Sequence, residues 1–241
     1  MFWRRRARSA PSSVIPALLG GVSIASLAAF GVYHRNSPLF GRALARLPQG
    51  GRDVALSFDD GPNPVATPRI LDTLKAEGVV ATFFLLGKHV DRWPALARRV
   101  ADEGHVLGNH GYYHRKLHVR GPAYVRDDLS RGTESIRLAT GRAPQLFRAP
   151  HGFRNPWVSS IAHSMGQRTV GWTLGVWDSA RPGAAAIAQR AVQGVRSGTV
   201  LLLHDGDGYD PDGDRTQTAD ALPMIIRDLR AQGYRFVGVP T

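Results

Sequence analysis

The chain has 241 residues, no cysteine and a formal net charge of +12 at pH 7. The length allows one large domain, and the lack of cysteine excludes disulfides, thiolate metal sites and cysteine nucleophiles. The arginines are scattered along the chain without the aromatic interleaving of single-strand binders. The charge therefore favours an anionic membrane or cell-wall environment, and a nucleic-acid partner is not expected.

The N-terminus predicts a membrane anchor. Arginines at positions 4, 5, 6 and 8 precede the uncharged run VIPALLGGVSIASLAAFGVY, which is long enough to cross a bilayer as a helix. The basic leader favours a cytoplasmic N-terminus and export of the rest. We expect leader and anchor over residues 1–33, a linker over 34–51 and one domain over 52–241. A signal peptide, cleaved to give a secreted protein, is the alternative for the first segment.

After residue 52, short apolar runs alternate with helical patterns. Helix starts are predicted at Thr67-Pro68 and Asn155-Pro156, where a capping side chain precedes a first-turn proline. The predicted strands are VALSF, ATFFLLG, GHVLGNH, LFRAP, TVGWTLG, TVLLLHD and RFVGV, which begin at residues 54, 81, 104, 146, 169, 199 and 235. This alternation predicts right-handed crossovers and a parallel sheet.

Polar residues stand at or just beyond the C-terminal ends of these strands. They are Asp59, Asp60, His110, His114, Arg148, Asp178 and His204. In a closed parallel barrel such ends surround one mouth, whereas in an open sheet the first and sixth strands could lie too far apart to share a site. A shared site predicts an α/β fold with a short, distorted parallel (β/α) barrel of about seven strands, preceded by an N-terminal apolar helix.

Histidine and aspartate pairs predict a metal site. His110 and His114 stand four residues apart, so on a helical turn both imidazoles would face one ion, although such a pair is by itself often a surface coincidence. The adjacent carboxylates of Asp59 and Asp60 repel each other, and a cation removes that conflict. Two histidines with one carboxylate suit a catalytic zinc ion that holds water, which leaves the other aspartate to act as base.

Three further residues each have a functional and a purely structural interpretation. Arg148 could orient the base through a charge-assisted pair, or form a surface ion pair. His204 suits a general acid whose pKa Asp178 would raise, but it could also be a capped residue at a strand end. Asp178 could equally begin the turn that precedes Arg181.

From residue 52 to 239 the sequence resembles the polysaccharide deacetylase family, the NodB-homology domain of carbohydrate esterase family four. The motifs SFDDGP, NHGYYH, FRAPHG and VLLLHD stand in the family's order. The resemblance implies Asp59 as base, Arg148 as the residue that orients it and His204 as general acid. It also implies Asp60, His110 and His114 as metal ligands, the His151 N–H as oxyanion donor and Leu202 in the pocket for the acetyl methyl group.

One motif departs from the family pattern. The family often has an Asp-x-x-Asp-Trp stretch, whereas GVWDSARP keeps Asp178 but has Gly175 and Ser179 at the other two positions. Trp177 or Trp172 would then supply the aromatic wall of the sugar groove. The run DGDGYDPDGD after His204 lacks the spacing of a calcium loop and is interpreted as a flexible loop at the barrel mouth.

The resemblance implies a hydrolase that removes N-acetyl groups from an amino-sugar polymer or oligomer of chitooligosaccharide or peptidoglycan type and releases acetate. The alternatives are an O-acetyl esterase on a polysaccharide such as xylan and a membrane-tethered glycan-binding module. The expected cofactor is one divalent metal, Zn²⁺ in preference to Co²⁺ or another first-row ion. The expected partners are the acetylated glycan and, through the N-terminal helix, a membrane.

Overall fold

The computed structural model describes residues 14–48 and 51–241, with side chains from residue 24 onward. The predicted basic leader falls in residues 1–13, outside this range. The elements in chain order are α1 (Val14–Tyr33), β1 (Asp53–Asp59), α2 (Ala66–Ala76), β2 (Thr82–Leu85), α3 (Gly87–Arg92), α4 (Pro94–Asp102), β3 (Val106–Asn109), α5 (Pro122–Thr140), β4 (Leu146–Phe147), α6 (Pro156–Ser164), β5 (Arg168–Thr169), β6 (Leu174–Gly175), α7 (Ala184–Gly194), β7 (Thr199–His204), α8 (Thr216–Ala231) and β8 (Arg235–Phe236).

The strands form one parallel sheet that curls into a distorted half-barrel covered by helices. Seven strands lie in the order β5-β4-β3-β2-β1-β7-β6, and β8 pairs with the beginning of β1. The predicted α/β class and distorted parallel barrel are confirmed. The order places β1 beside β7, so the ends of VALSF and TVLLLH, which lie far apart in sequence, are neighbours.

Residues predicted as one strand, TVGWTLG, form two short strands at opposite edges of the sheet. Between β5 and β6 the backbone leaves the hydrogen-bond ladder of the sheet. Its polar groups instead form hydrogen bonds to the residues before β1, residues 33–47, which are called the N-terminal segment. The Gly171 N–H donates to the Leu44 carbonyl at 3.0 Å, and the Asn36 side chain donates to the Trp172 carbonyl at 2.9 Å. The chain therefore crosses the open side of the half-barrel here.

Part of the predicted linker is folded against this opening. Leu44 forms a parallel bridge with Val170, just after β5, and Arg46 forms an antiparallel bridge with Thr199 at the start of β7, so the segment connects strands from the two halves of the sheet. Leu47 is 5% exposed and packs with residues of the barrel interior such as Ala55 and Val200. Residues 44–47 thus fill a gap that the strands leave open.

Helix α1 precedes this segment, and side chains are described only for its second half. Among the residues whose side chains are described, from residue 24 onward, no helix is long and apolar enough to cross a membrane. At the end of α1, the Tyr33 ring packs edge-to-face on Phe153 with centroids 5.2 Å apart and on His118 at 5.4 Å.

Alternation along β1 explains where its carboxylate lies. Val54, Leu56 and Phe58 pack in the apolar cluster that includes residues of α2 and α8. Residues of a strand alternate between its faces, so Ser57 and Asp59 lie on the opposite face, inside the half-barrel. Ser57 bonds there to the Leu201 carbonyl at 2.8 Å. Asp59 is the last residue of β1, and its side chain therefore lies inside the half-barrel, at its mouth.

The two predicted helix starts have different outcomes. Asn155 caps α6 as predicted, because its side chain accepts a hydrogen bond from the Val158 N–H at 3.1 Å. The prediction at Thr67 is wrong, because α2 begins one residue earlier and Asn63 accepts from the Ala66 N–H at 2.9 Å. Thr67 instead donates to the buried Asp205 carboxylate at 2.6 Å.

The packing of Leu47 predicts that the N-terminal segment stabilises the domain. Leu47→Ala should lower the free energy of unfolding by about 2–4 kcal/mol, because it removes buried methyl groups and leaves a cavity. Leu138→Ala is the matched control, since Leu138 is 65% exposed on α5, and it should cost less than about 1 kcal/mol. Urea unfolding of both variants measures the difference. Equal effects would show that residues 44–47 do not pack as described.

Candidate active site

Asp59 and Arg148 form a buried ion pair at the centre of the barrel mouth. Arg148 is fully buried, and its Nη1 donates to Asp59 Oδ1 at 2.7 Å and to Ser57 Oγ at 3.0 Å. Its Nη2 donates to the Gly171 carbonyl at 2.9 Å, and its guanidinium lies 4.0 Å from the centre of the Phe84 ring. These contacts fix the guanidinium, so Arg148 orients the Asp59 carboxylate and neutralises its charge.

Asp60 turns away from Asp59 and faces the two histidines. Its backbone has φ of 74°, the left-handed region, which lets adjacent aspartates point in different directions. Asp60 Oδ1 lies 3.4 Å from His110 Nε2 and 3.2 Å from His114 Nε2. One ligand atom from each of these three buried residues lies within 4.8 Å of the others. The three atoms can therefore contact a common ion.

The hydrogen bonds of His110 show that this set fits a cation. His110 Nδ1 lies 2.8 Å from the Arg148 carbonyl oxygen, which only accepts, so Nδ1 carries the proton. His110 then presents Nε2 to Asp60 Oδ1, a buried oxygen with no hydrogen-bond partner among the described residues. Burial lowers the pKa of His110, but the charges of Asp59 and Asp60 outweigh it and raise the pKa, so the site favours a positive charge beside these oxygens. A divalent metal ion would supply that charge and leave Nε2 free to act as a ligand. Imidazole and carboxylate donors suit zinc and other first-row metals.

The imidazole of His114 is neutral at physiological pH, as a metal ligand has to be. Burial is the main cause that lowers its pKa to about 3; the charge of Asp60 favours protonation, but burial together with the positive charges of His110, His151 and His204 outweighs it. The expected helical turn over HGYYH is wrong: residues 110–114 form a loop, with φ of 79° at Gly111 and 58° at His114. This reversal of the chain, rather than helical spacing, brings both Nε2 atoms to Asp60.

His204 and Asp178 form the second charged pair of the site. His204 Nδ1 lies 2.9 Å from Asp178 Oδ1, and the His204 N–H donates to Oδ2 at 2.7 Å. Thr218 Oγ1 also donates to Oδ2 at 2.9 Å. Burial lowers the pKa of His204, but the charge and hydrogen bond of Asp178, with the charges of Asp60 and Asp59, outweigh it and raise the pKa to about 9. His204 is therefore a protonated donor at neutral pH.

One cleft of about 790 Å³ contains these groups. Nine of the ten predicted site residues line it, namely Asp59, Asp60, His110, His114, His151, Trp177, Asp178, Leu202 and His204, and Arg148 lies beneath. Leu202 is 8% exposed, and Trp177 is 74% exposed at the rim. The His151 backbone N–H donates to no acceptor among the described residues, so it is available to a ligand.

Sequence reasoning missed several residues of the cleft wall. Tyr33, His34 and Arg35 line it, although they were assigned to the anchor and the linker. The aspartate-rich loop was expected to be flexible, but Lys88 donates to the Gly208 carbonyl at 2.9 Å and Arg215 pairs with Asp207 at 2.7 Å. Its acidic residues were the signal in the sequence, because two of them form ion pairs with arginines, Asp207 with Arg215 and Asp212 with Arg92.

A further missed residue, His89, supports the unusual backbone of Asp60. It is 1% exposed, and its Nδ1 lies 2.7 Å from the Asp60 carbonyl oxygen. Because that oxygen accepts, His89 Nδ1 carries a proton and holds the left-handed turn in place. No motif in the sequence indicates this contact.

The fold and the site define an α/β protein with an Asp-His-His cluster, suited to hold a metal ion, at the mouth of a parallel half-barrel. The family profile described as "Polysaccharide deacetylase" matches residues 46–170. A chitooligosaccharide deacetylase of Bradyrhizobium sp. is 38% identical over 200 residues, which is 79% of this chain and 90% of that protein. The chain belongs to the polysaccharide deacetylase family, and it is an enzyme that hydrolyses N-acetyl amide bonds.

Two solved structures share the fold. The Bc1960 peptidoglycan N-acetylglucosamine deacetylase has a TM-score of 0.76 and 33% identity, covering 82% of this chain and 91% of that one. A mutant of BA3943, a CE4 family pseudoenzyme, has a TM-score of 0.75 and 28% identity, covering 82% and 69% of the two chains. Because a pseudoenzyme also adopts this fold, the fold alone assigns no role to any residue of the site.

Gly208 contacts the face of His114 and predicts a way to disturb the metal set. A Cβ atom at position 208 would overlap His114 Nδ1, so Gly208→Ala should displace the ring and weaken divalent-metal affinity about 10- to 100-fold. Gly121→Ala is the matched control, because a Cβ atom there meets nothing within 4 Å and its φ is −70°. Titration of the metal-free protein with zinc, followed by calorimetry, measures the affinity. Unchanged affinity in Gly208→Ala would contradict the contact.

Proposed function

We propose that the protein is a metal-dependent deacetylase that removes N-acetyl groups from an amino-sugar polymer or oligomer of peptidoglycan or chitooligosaccharide type. The observation that carries this proposal is the convergence of Asp60, His110 and His114 beside the Asp59 carboxylate, whose Oδ1 pairs with Arg148 and whose Oδ2 lies 3.7 Å from His110 Nε2. The names of the related proteins, which include both substrate types, support the same class.

Asp60, His110 and His114 would hold one divalent cation, with zinc favoured. When bound, such an ion acts as a Lewis acid toward the acetyl carbonyl and lowers the pKa of water at the site. Asp59, oriented by Arg148, accepts the proton of the attacking water. The His151 N–H donates to the carbonyl oxygen as negative charge develops there.

The departing amine needs a proton, and His204 can supply it. Its Nδ1 is held by Asp178, so Nε2 carries the proton that can be given to the leaving nitrogen. Leu202 offers an apolar contact for the acetyl methyl group. Trp177 is exposed at the rim, which suits stacking on a sugar ring, whereas Trp172 lies deeper beside Arg148.

We infer an exported catalytic domain over residues 52–241, attached to the membrane through residues 1–33. The arginines of the leader and the uncharged run that follows support this topology. Export also fits a cell-wall glycan substrate. Cleavage of the first segment, which would give a secreted enzyme, is the alternative.

Acetate release by the full-length chain tests the proposed function. We expect release from N-acetylated chitooligosaccharides or peptidoglycan fragments, loss of release with a chelator and recovery with zinc. Asp59→Asn should lower kcat about 10²- to 10⁴-fold, the usual contribution of a general base, while metal content stays at the wild-type level. His110→Ala should instead lose the metal.

Four results would contradict the proposal. Faster release from O-acetylated xylan than from any N-acetylated glycan would favour the esterase. Binding of glycan without acetate release would favour the binding module. Turnover that a chelator does not affect, or full activity of Asp59→Asn, would refute the roles assigned to the metal set and the base.

The pairing of His204 with Asp178 predicts a change in pH dependence. The negative charge of Asp178 favours protonated His204, so Asp178→Asn should lower the pKa of His204 and move the alkaline limb of kcat/KM to lower pH by about one unit or more. Thr218→Val, which removes a hydrogen bond to Asp178 but no charge, should move it less. An alkaline limb that stays in place in Asp178→Asn would show that His204 is not the acid.

A further inference from the structure

The N-terminal segment forms one wall of the active-site cleft. Tyr33, His34 and Arg35 line the same cavity as Asp59 and His204. These residues precede the region that the family profile matches, which begins at residue 46. The groups that perform the reaction and the groups on this wall therefore come from different parts of the chain.

Arg154 fixes this wall to the site. Its side chain is 2% exposed, and its guanidinium donates to the carbonyl oxygens of Ser37 and Gly41 at 2.8 Å and of Arg35 at 3.3 Å. Its backbone N–H donates to the Val32 carbonyl at 3.2 Å. A buried cation has to be compensated, and the backbone of residues 35–41 does so here. Arg154 stands three residues after His151, so the wall is tied to the loop that carries this residue.

Arg35 differs from the other arginines of the site. Arg215 pairs with Asp207 and Arg148 pairs with Asp59, each at 2.7 Å. Among the described residues, no carboxylate oxygen lies within 4.0 Å of an Arg35 nitrogen. The Arg35 guanidinium instead lies 5.4 Å from the centre of the Trp172 ring, half-buried at the cleft. A cation stacked on an indole ring keeps its charge available to a ligand.

Arg35 is not needed to hold the nearby backbone. Its Nε donates a hydrogen bond to the Trp172 carbonyl oxygen at 3.4 Å. The Asn36 side chain donates a shorter hydrogen bond, at 2.9 Å, to the same oxygen. The guanidinium nitrogens beyond Nε make no hydrogen bond to the described residues. The planar fork of a guanidinium matches a carboxylate through two parallel hydrogen bonds.

We propose that Arg35 is a specificity-determining residue that binds a carboxylate of the glycan substrate. The preferred substrate is then an acetylated amino-sugar chain that carries a carboxylate close to the reacting sugar, on a neighbouring sugar or on an attached peptide. This inference depends on the proposed deacetylase function and adds the charge of the substrate to it.

The test compares substrates that differ in whether, and where, they carry a carboxylate. Steady-state kinetics of the full-length protein would use a tetrasaccharide of alternating N-acetylglucosamine and N-acetylmuramic acid, the methyl ester of the same compound and a peptide-bearing fragment. The wild type should prefer the acid to the ester by about 10-fold or more in kcat/KM, mainly through KM, as expected for a charge-assisted hydrogen bond.

Substitutions then assign the preference to Arg35. Arg35→Gln should remove the difference between acid and ester, and Arg35→Lys should keep part of it because the charge remains. Arg42→Gln is the matched control, since Arg42 is exposed on the same segment but does not line the cleft, and it should behave as the wild type. A purely structural role of Arg35 would alter both substrates equally and leave their ratio unchanged.

Failure of this inference can be distinguished from failure of the proposed function. Acetate release from all substrates with no preference for a carboxylate, or a preference that survives in Arg35→Gln, would overturn the inference and leave the deacetylase intact. A preference confined to the peptide-bearing fragment and lost in Arg35→Gln would support it, with the peptide as the source of the carboxylate. No release from any substrate would refute the proposed function itself.

Discussion

The buried ion pair between Arg148 and Asp59 sets the different roles of the two adjacent aspartates. Arg148 neutralises Asp59 through its guanidinium, and its carbonyl oxygen fixes the Nδ1–H of His110. His110 Nε2 is thereby presented to Asp60, whose charge no arginine or lysine pairs with among the described residues. A cation that bridges Asp60 and the histidines would complete the neutralisation. One arginine therefore positions both the base and the metal set.

The catalytic and metal-ligating residues could be predicted from the sequence alone more accurately than the segments that form the walls of the cleft. Asp59, Asp60, His110, Arg148 and His204 stand at strand ends, and a parallel sheet brings such ends together wherever the strands lie. The turn at HGYYH was predicted wrongly, because its conformation depends on left-handed residues and on packing against Gly208. The split of TVGWTLG depends on hydrogen bonds to residues 36 and 44, more than a hundred positions earlier in the chain, which no local pattern reveals.

The segment before β1 is a structural part of the site. Leu44 and Leu47 fill the open side of the half-barrel, and the residues before them reach the cleft. The loop that carries Gly208 also lines the cleft and is held by Lys88 and Arg215. A fold shared with a pseudoenzyme cannot by itself account for activity. We therefore propose that catalysis depends on the Asp-His-His set and that substrate choice depends on these two walls.

The central claim is that Asp60, His110 and His114 bind one divalent ion and that Asp59 does not bind it. Anomalous diffraction from crystals grown with zinc, measured on both sides of the zinc absorption edge, tests this claim most directly. The account predicts a single peak at the cleft, about 2.0–2.2 Å from an Asp60 oxygen and the two Nε2 atoms, with Asp59 beyond bonding distance. A peak bound to Asp59, or no peak among these residues, would contradict it.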